Sequence, residues 1–158
     1  MDLDKKAGGL YTAKRSADLD IQAEVFEAWA GLRNDADFAQ TSWIALIIDA
    51  NKKVGVHGQG SGDLTELLSK LSDDDIFFGG LRVKTSSGSI KFMQFYFVGG
   101  NVGGMKKGKA SLWKNAIFNA LEGSHGSLEV PNGLDGAADD FARQVGALAG
   151  GGAWNLGR

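Results

Sequence analysis

Residues 89–121 read SIKFMQFYFVGGNVGGMKKGKASLWKNAIFNAL. Ser89 to Val98 is apolar on both faces instead of alternating, which marks a central strand covered above and below. Gly99 to Gly108 reads as a glycine-rich loop. Ala110 to Leu121 then has helical periodicity, with Leu112, Trp113, Ala116, Ile117, Ala120 and Leu121 on the buried side. A strand buried on both faces needs a layer of helices on each, so this run alone asks for a layered α/β or α+β architecture.

The flanking sequence supplies the other layers. Upstream, Thr85-Ser-Ser-Gly88 is a turn joining Ser89–Val98 to a strand at Ile76–Lys84. Thr41–Ile48 (TSWIALII) is a second nearly continuous apolar strand, turned at Asp49–Lys52 into a partner at Lys53–His57. Asp20 caps a helix through Asn34 with Ile21, Val25, Trp29 and Leu32 on one face. Asp63-Leu-Thr-Glu66 has the form of a capping box before a short helix carrying Leu64, Leu67, Leu68 and Leu71. Downstream, Ser127–Val130 is a short strand, and Asp135–Ala149 is a helix built around Phe141, Val145 and Leu148. The expectation is one compact α/β (α+β) domain, with a central mixed sheet of about five strands flanked by helices. It spans residues 20–149, between a flexible extension at 1–19 and a Gly-rich tail at 150–158 that contains Trp154.

Composition narrows the function classes. The chain has 158 residues, 43% hydrophobic and 23% charged, ordinary values for one globular domain. With no cysteine, disulfide frameworks, thiolate zinc sites and thiol catalysis are excluded. Two histidines make a His-rich metal site a poor reading. Glycine occurs 24 times and proline once, a pattern of tight turns. No run approaches the length of a membrane span, and the first twenty residues carry charges in place of an apolar signal segment. The expectation is a cytoplasmic monomer without cofactors.

The net charge of −2 hides an asymmetry. From Ile76 to Leu121 there is no Asp or Glu, while Arg82, Lys84, Lys91, Lys106, Lys107, Lys109 and Lys114 all fall there. Seventeen basic residues less these seven leave ten against all nineteen acidic ones. Such polarity describes partners and not fold: it predicts a basic face that meets an acidic surface. The bland alternative is a solvated, lysine-rich face. Lys106, Lys107 and Lys109 decide between them, because cations at a helix start oppose the helix dipole at about 0.3–1 kcal/mol each. A chain chosen for stability alone places Asp or Glu there. With Lys91 on the strand before the loop and Lys114 one turn on, these lysines define the candidate binding edge.

Catalytic readings are weaker. Gly103–Lys109 fits most of a phosphate-loop pattern, and Asp49 at a strand end resembles its metal carboxylate. Ala110 stands where a magnesium-binding hydroxyl belongs, however. The loop starts late, and a hairpin replaces the parallel crossover that nucleotide folds use. Gly58-Gln-Gly60-Ser-Gly62 is a partial fingerprint that reads as a connector. Asp73-Asp74-Asp75 reads as a solvated turn, and His57 and His125 read as surface residues.

The run Lys91-Phe92, followed by Val98-Gly-Gly-Asn-Val-Gly-Gly-Met-Lys-Lys-Gly-Lys109 before a helix, resembles the actin-depolymerising-factor homology (ADF-H/gelsolin-like) domain, nearest in its motifs to the coactosin branch. Asp139-Asp-Phe141 followed by Ala149-Gly-Gly-Gly-Ala-Trp154 independently resembles the coactosin C-terminal helix and tail. The similarity covers roughly residues 20 to 155. It implies a non-catalytic cytoskeletal protein that binds actin, filaments over monomers, with Lys91, Lys107 and Lys109 at positions that contact actin in the family. It implies no nucleic-acid partner. Two departures stand out. Residues 1–19 extend a terminus that joins the actin interface in severing relatives. Ala147-Leu148 replaces two lysines found before the tail in vertebrate coactosins. The alternatives are a nucleotide-binding protein using Gly103–Lys109, or an ADF-H relative that binds a different acidic protein.

Overall fold

Eight strands among the described residues join in one sheet, and two helices cover each face. The computed structural model describes residues 11–34 and 39–158. In chain order the elements are β1 (Lys14–Ser16), β2 (Leu19–Ile21), α1 (Ala23–Arg33), β3 (Trp43–Ile48), β4 (Lys53–Gly60), α2 (Leu64–Leu68), β5 (Ile76–Thr85), β6 (Ile90–Val98), α3 (Gly104–Ala120), β7 (Gly126–Val130), α4 (Ala137–Leu148) and β8 (Trp154–Leu156). The sheet order is β1-β2-β4-β3-β5-β6-β7. The pairs β2–β4 and β6–β7 are parallel and the others antiparallel, so the sheet is mixed, as its sequence implies.

Side-chain alternation along the two longest strands sorts the core into two layers. Ile76 and Phe78 of β5 and Tyr96 and Val98 of β6 face α1 and α3. Phe77, Leu81 and Val83 of β5 and Met93, Phe95 and Phe97 of β6 face α2 and α4. Gly79 and Gly80 interrupt β5 for a packing reason. A Cβ on Gly79 would lie 2.1 Å from the Ile44 carbonyl oxygen, and one on Gly80 would lie 2.5 Å from the Trp29 ring. The α1 indole is thus seated directly on the strand backbone, and its Nε1–H donates to the Glu122 carbonyl at 2.7 Å.

Three sequence expectations change. Residues 14–16 of the supposed extension form β1, and β2 begins at Leu19; the first ten residues lie outside the described ones. Leu19 and Ile21 are buried on either side of Asp20, a pattern too short to register as periodic. The tail, set outside the 20–149 domain by sequence, adds a strand to the sheet. β8 pairs with β5 at Val83–Thr85, beside the stretch where β3 has ended, and Trp154 packs on the α2–α4 layer. The sheet exceeds the expected five strands because β1, β2 and β8 have only three residues each.

Arg82 is 2% exposed in the middle of β5. Its Nη1 donates to the Leu32 and Asn34 carbonyls, each at 2.8 Å, and its guanidinium lies 5.5 Å from the Phe92 ring centre. A cation bonded to the last carbonyls of α1 satisfies acceptors that the helix leaves open and complements its dipole. One of the seven basic residues in the acid-free stretch is therefore structural. Arg82→Ala is expected to destabilise the fold by about 3 kcal/mol through those two stranded acceptors and the lost packing, read as a lower urea midpoint with an unchanged slope.

Asp63 caps α2 by accepting the Leu64 N–H at 2.8 Å. Glu66 does not close the expected box on Asp63. Its Oε1 accepts the Trp43 indole N–H at 2.7 Å and the Gly62 N–H at 3.0 Å, which together hold its carboxyl below the ordinary value of 4.5. A depressed folded pKa stabilises the fold above the unfolded value, and that contribution is lost as pH falls through the folded one. The melting-temperature advantage of the wild type over Glu66→Gln is therefore expected at pH 7 and should narrow as the pH is lowered below 4.5.

Candidate functional site

The candidate lysines enter through α3. The helix starts at Gly104, earlier than Ala110, because Gly103 takes an extended N-cap conformation (φ −76°, ψ 163°) and the Lys107 N–H already reaches the Gly103 carbonyl at 3.1 Å. Lys106, Lys107 and Lys109 thus lie within the first two turns, not in a loop before them. This start also corrects the phase. Ala110, Ala116, Ile117 and Ala120 point inward, while Leu112, expected in the core, is 79% exposed and Met105 is 81% exposed. At about 100° per residue, Met105, Gly108 and Leu112 fall within about 60° of one another, with Lys109 about 40° from Met105 on one side and Lys107 about 100° beyond Gly108 on the other.

The structure separates the five candidate lysines into three kinds. Lys107 and Lys109 are exposed and have no ion pair among the described residues. Lys106 is paired with Asp75 at 3.0 Å. Lys114 is 25% exposed, paired with Glu129 at 2.7 Å and placed 5.7 Å from the Tyr96 ring centre, so it is held against the sheet instead of standing free on the helix. Tyr96 itself has its phenol raised above the usual value, first by burial and then by the Glu129 carboxylate. Lys91 lies apart. It is opposite Val83 on the α2–α4 face of the sheet, seven residues from the end of β6 that leads to α3, or about 23 Å of strand. The lysines therefore do not form one continuous edge.

Beside Lys106 and Lys109, a cavity of about 450 Å³ opens between α3 and the β3–β4 turn, with Phe78, Ala110 and Trp113 in its walls. Trp113 faces this interior side and packs against the core. The phosphate-loop reading fails on this geometry. Gly108 and Lys109 lie in the second turn of a formed helix, where backbone N–H groups are spent within the helix. Asp49 accepts the Asn51 and Lys53 N–H groups at 2.8 and 3.0 Å, so its carboxylate shapes a turn. No cluster of three or more His, Asp or Glu suited to a metal ion occurs among the described residues.

An antiparallel β5–β6 core, a long helix with a basic and uncapped start, and a second helix on the opposite face together form a recognisable arrangement. A family model described as cofilin/tropomyosin-type actin-binding protein matches residues 18–146. The chain belongs to that family. Mouse drebrin-like protein is 30% identical over 92 residues, covering 57% of this chain and 21% of that protein, so the chain spans about a fifth of that relative. The cofilin-family fold is seen again in coactosin from Entamoeba histolytica, with a TM-score of 0.71 and 20% identity over 85% of this chain and 99% of the other. Mouse coactosin, an actin filament binding protein, has a TM-score of 0.64 and 21% identity, covering 86% and 94% of the two chains. Both agree with the resemblance to coactosin visible in the loop and tail.

The exposed apolar pair Met105 and Leu112 was missed in the sequence because Gly108 seemed to end a loop. Placing the helix start at Gly104 puts both seven residues apart and opposite Ala110 and Ile117. Lys107 sits unpaired near a positive helix end, so Lys107→Glu should stabilise the folded chain by about 0.5 kcal/mol, measured as a rise in the urea midpoint.

Proposed function

We propose that this cofilin-family protein is a non-catalytic actin-filament binder that engages its partner with the outward ridge of α3. Met105 and Leu112 supply apolar contact, Lys109 supplies charge beside them, and Lys107 supplies charge farther round the exposed side of the helix. The observation that carries the reading is the coincidence of large exposed apolar side chains and unpaired cations on one helix start. A packed helix avoids both features, and a binding surface uses both. Gly108 has open space around its Cβ position, so a partner can approach the ridge closely. Steering by the cations and desolvation of the two apolar side chains divide the work between association rate and residence.

Preference for filaments rests on Lys91. It is on the other face of the sheet and near the opposite end from the start of α3. One flat patch on one partner subunit does not reach both, whereas two neighbouring subunits of a filament do. The mouse coactosin named above is a filament binder of the same fold, which supports this reading. The proposal uses one copy of the chain, needs no cofactor and places the protein at the cytoplasmic cytoskeleton.

Co-sedimentation with actin filaments across a salt series is the test. Wild-type binding is expected to weaken with salt. Lys107→Ala with Lys109→Ala should raise Kd about 30-fold, at about 1 kcal/mol for each exposed contact. Met105→Ala with Leu112→Ala should weaken binding while keeping the salt dependence, and Lys91→Ala should affect filaments more than monomers. Salt-independent pelleting, or an unaffected lysine double variant, would reject the α3 face. A folded protein that pellets at no salt concentration would favour a different acidic partner.

A further inference from the structure

Neither α3 nor α4 has a side-chain N-cap. Gly103 and Gly136 occupy the cap positions, and neither has a side chain to bond the first amides. The loops leading into the two helices are instead tied to one carboxylate. Asp73 Oδ1 accepts the Gly100 N–H at 3.0 Å, four residues before α3, and the Leu134 N–H at 2.8 Å, three residues before α4. The Asp73 carbonyl accepts the Asn101 N–H at 2.8 Å. Gly133 passes so close that a Cβ there would lie 2.7 Å from Asp73 Oδ1 and 2.8 Å from the Gly100 nitrogen, and its φ of +82° suits glycine. The Gly133 N–H closes the junction on the Val98 carbonyl at 2.9 Å. The two following acids finish the loop: Asp74 accepts the Asn101 side-chain amide at 3.0 Å, and Asp75 holds Lys106. The run read from sequence as a solvated turn is thus a template for the approach to α3.

We propose that Asp73 is a positioning residue for the α3 ridge, fixing where the helix starts and how Lys107 and Lys109 are presented, while coupling that start to α4 on the other face of the sheet. This rests on the filament-binding reading of α3. A carboxylate suits the role because it accepts several N–H groups at once and forms stronger bonds than a neutral acceptor. The same bonds, from Gly100 and then Leu134, hold the Asp73 carboxyl below its ordinary value. Asp73 touches no partner in this scheme and acts through the backbone of residues 100–104.

Three measurements on the full chain test it. In the wild type, the Gly100 and Leu134 amides should exchange with solvent at least ten times more slowly than open-loop amides, although both lie outside regular elements; open-loop rates would overturn the proposal. Asp73→Ala should speed both amides at least tenfold and raise the filament Kd about tenfold. Asp73→Asn, which keeps an acceptor in place, should stay within about threefold of wild type. Asp73→Ala binding like wild type, or Asp73→Asn as weak as Asp73→Ala, would overturn it. In the Lys107→Ala/Lys109→Ala background, Asp73→Ala should cost less than threefold, because its effect passes through those lysines; full additivity would instead mark a general loss of stability. Should the wild type fail to pellet, the filament reading falls and exchange alone decides the positioning role. Faster Gly100 and Leu134 exchange in Asp73→Ala, with broadened amide signals from Gly104 to Lys107, would uphold it, and unchanged signals would overturn it.

Discussion

The β5–β6 pair is the constraint from which the remaining structure follows. The strands match in register from Ile76 opposite Val98 to Lys84 opposite Ile90, and through most of that length they are apolar on both faces. A ribbon of this kind has no face to give to water, since each large apolar side chain left exposed forgoes about 1.5–3 kcal/mol of burial. Helices must therefore cover both sides. The chain supplies them in alternation, α1 and α3 to one layer and α2 and α4 to the other. Glycine at positions 79 and 80 leaves room on one face for the Phe95 ring of β6 itself and on the other for Trp29 of α1. The buried Arg82 belongs to the same economy of space: it fills a position on the α1 face where the carbonyls of a helix end need a donor.

Against that background α3 departs from what stability alone selects. Its inward side carries mainly alanines with Ile117, and its outward side carries Met105 and Leu112. Its first turns hold lysines and no acid, and its N-cap is a glycine without a capping side chain. The lysines at the helix start and the glycine cap each weaken an isolated helix, and the two outward apolar side chains forgo burial. Natural sequences concentrate such local conflicts at functional sites and compensate elsewhere. Here the compensation is visible in tertiary contacts: Asp75 neutralises Lys106, Glu129 neutralises Lys114, and the loop before the helix is held by backbone bonds to the 73–75 segment. Among the described residues, Lys107 and Lys109 are the cations of the cluster left without such compensation.

The central architecture was legible in the sequence because it is written in long, strongly patterned runs. Thr41–Ile48 and Ser89–Val98 announce two-sided burial, and Val25, Trp29 and Leu32 mark one helix face. What escaped was short or depended on phase. The strands β1, β2 and β8 have three residues each, too few for alternation to be distinguished from chance. The start of α3 was misplaced because glycines at 103, 104 and 108 read as loop, and that error put Leu112 in the core. Asp73–Asp75 escaped for a different reason. The partners of the Asp73 carboxylate are backbone amides 27 and 61 residues away, and a backbone amide has no letter in the sequence.

The placement of Lys91 follows from the same strand geometry and bears on how the surface works. Successive side chains of β6 alternate faces, so Lys91 shares the α4 side with Met93, Phe95 and Phe97, while Phe92, Tyr96 and Val98 lie on the side covered by α1 and α3. The strand then carries the chain its full length before the turn into α3. Proximity in sequence between Lys91 and Lys106 is converted by the fold into separation in space, across the thickness of the sheet and along it. A rigid sheet holds that separation constant. Under the proposed filament reading, two charged points fixed in this way would select a partner by the spacing of its acidic surfaces, which a repeating assembly presents at a set interval and a single subunit presents once. That discrimination would be geometric, with no need for a difference in the strength of either contact taken alone.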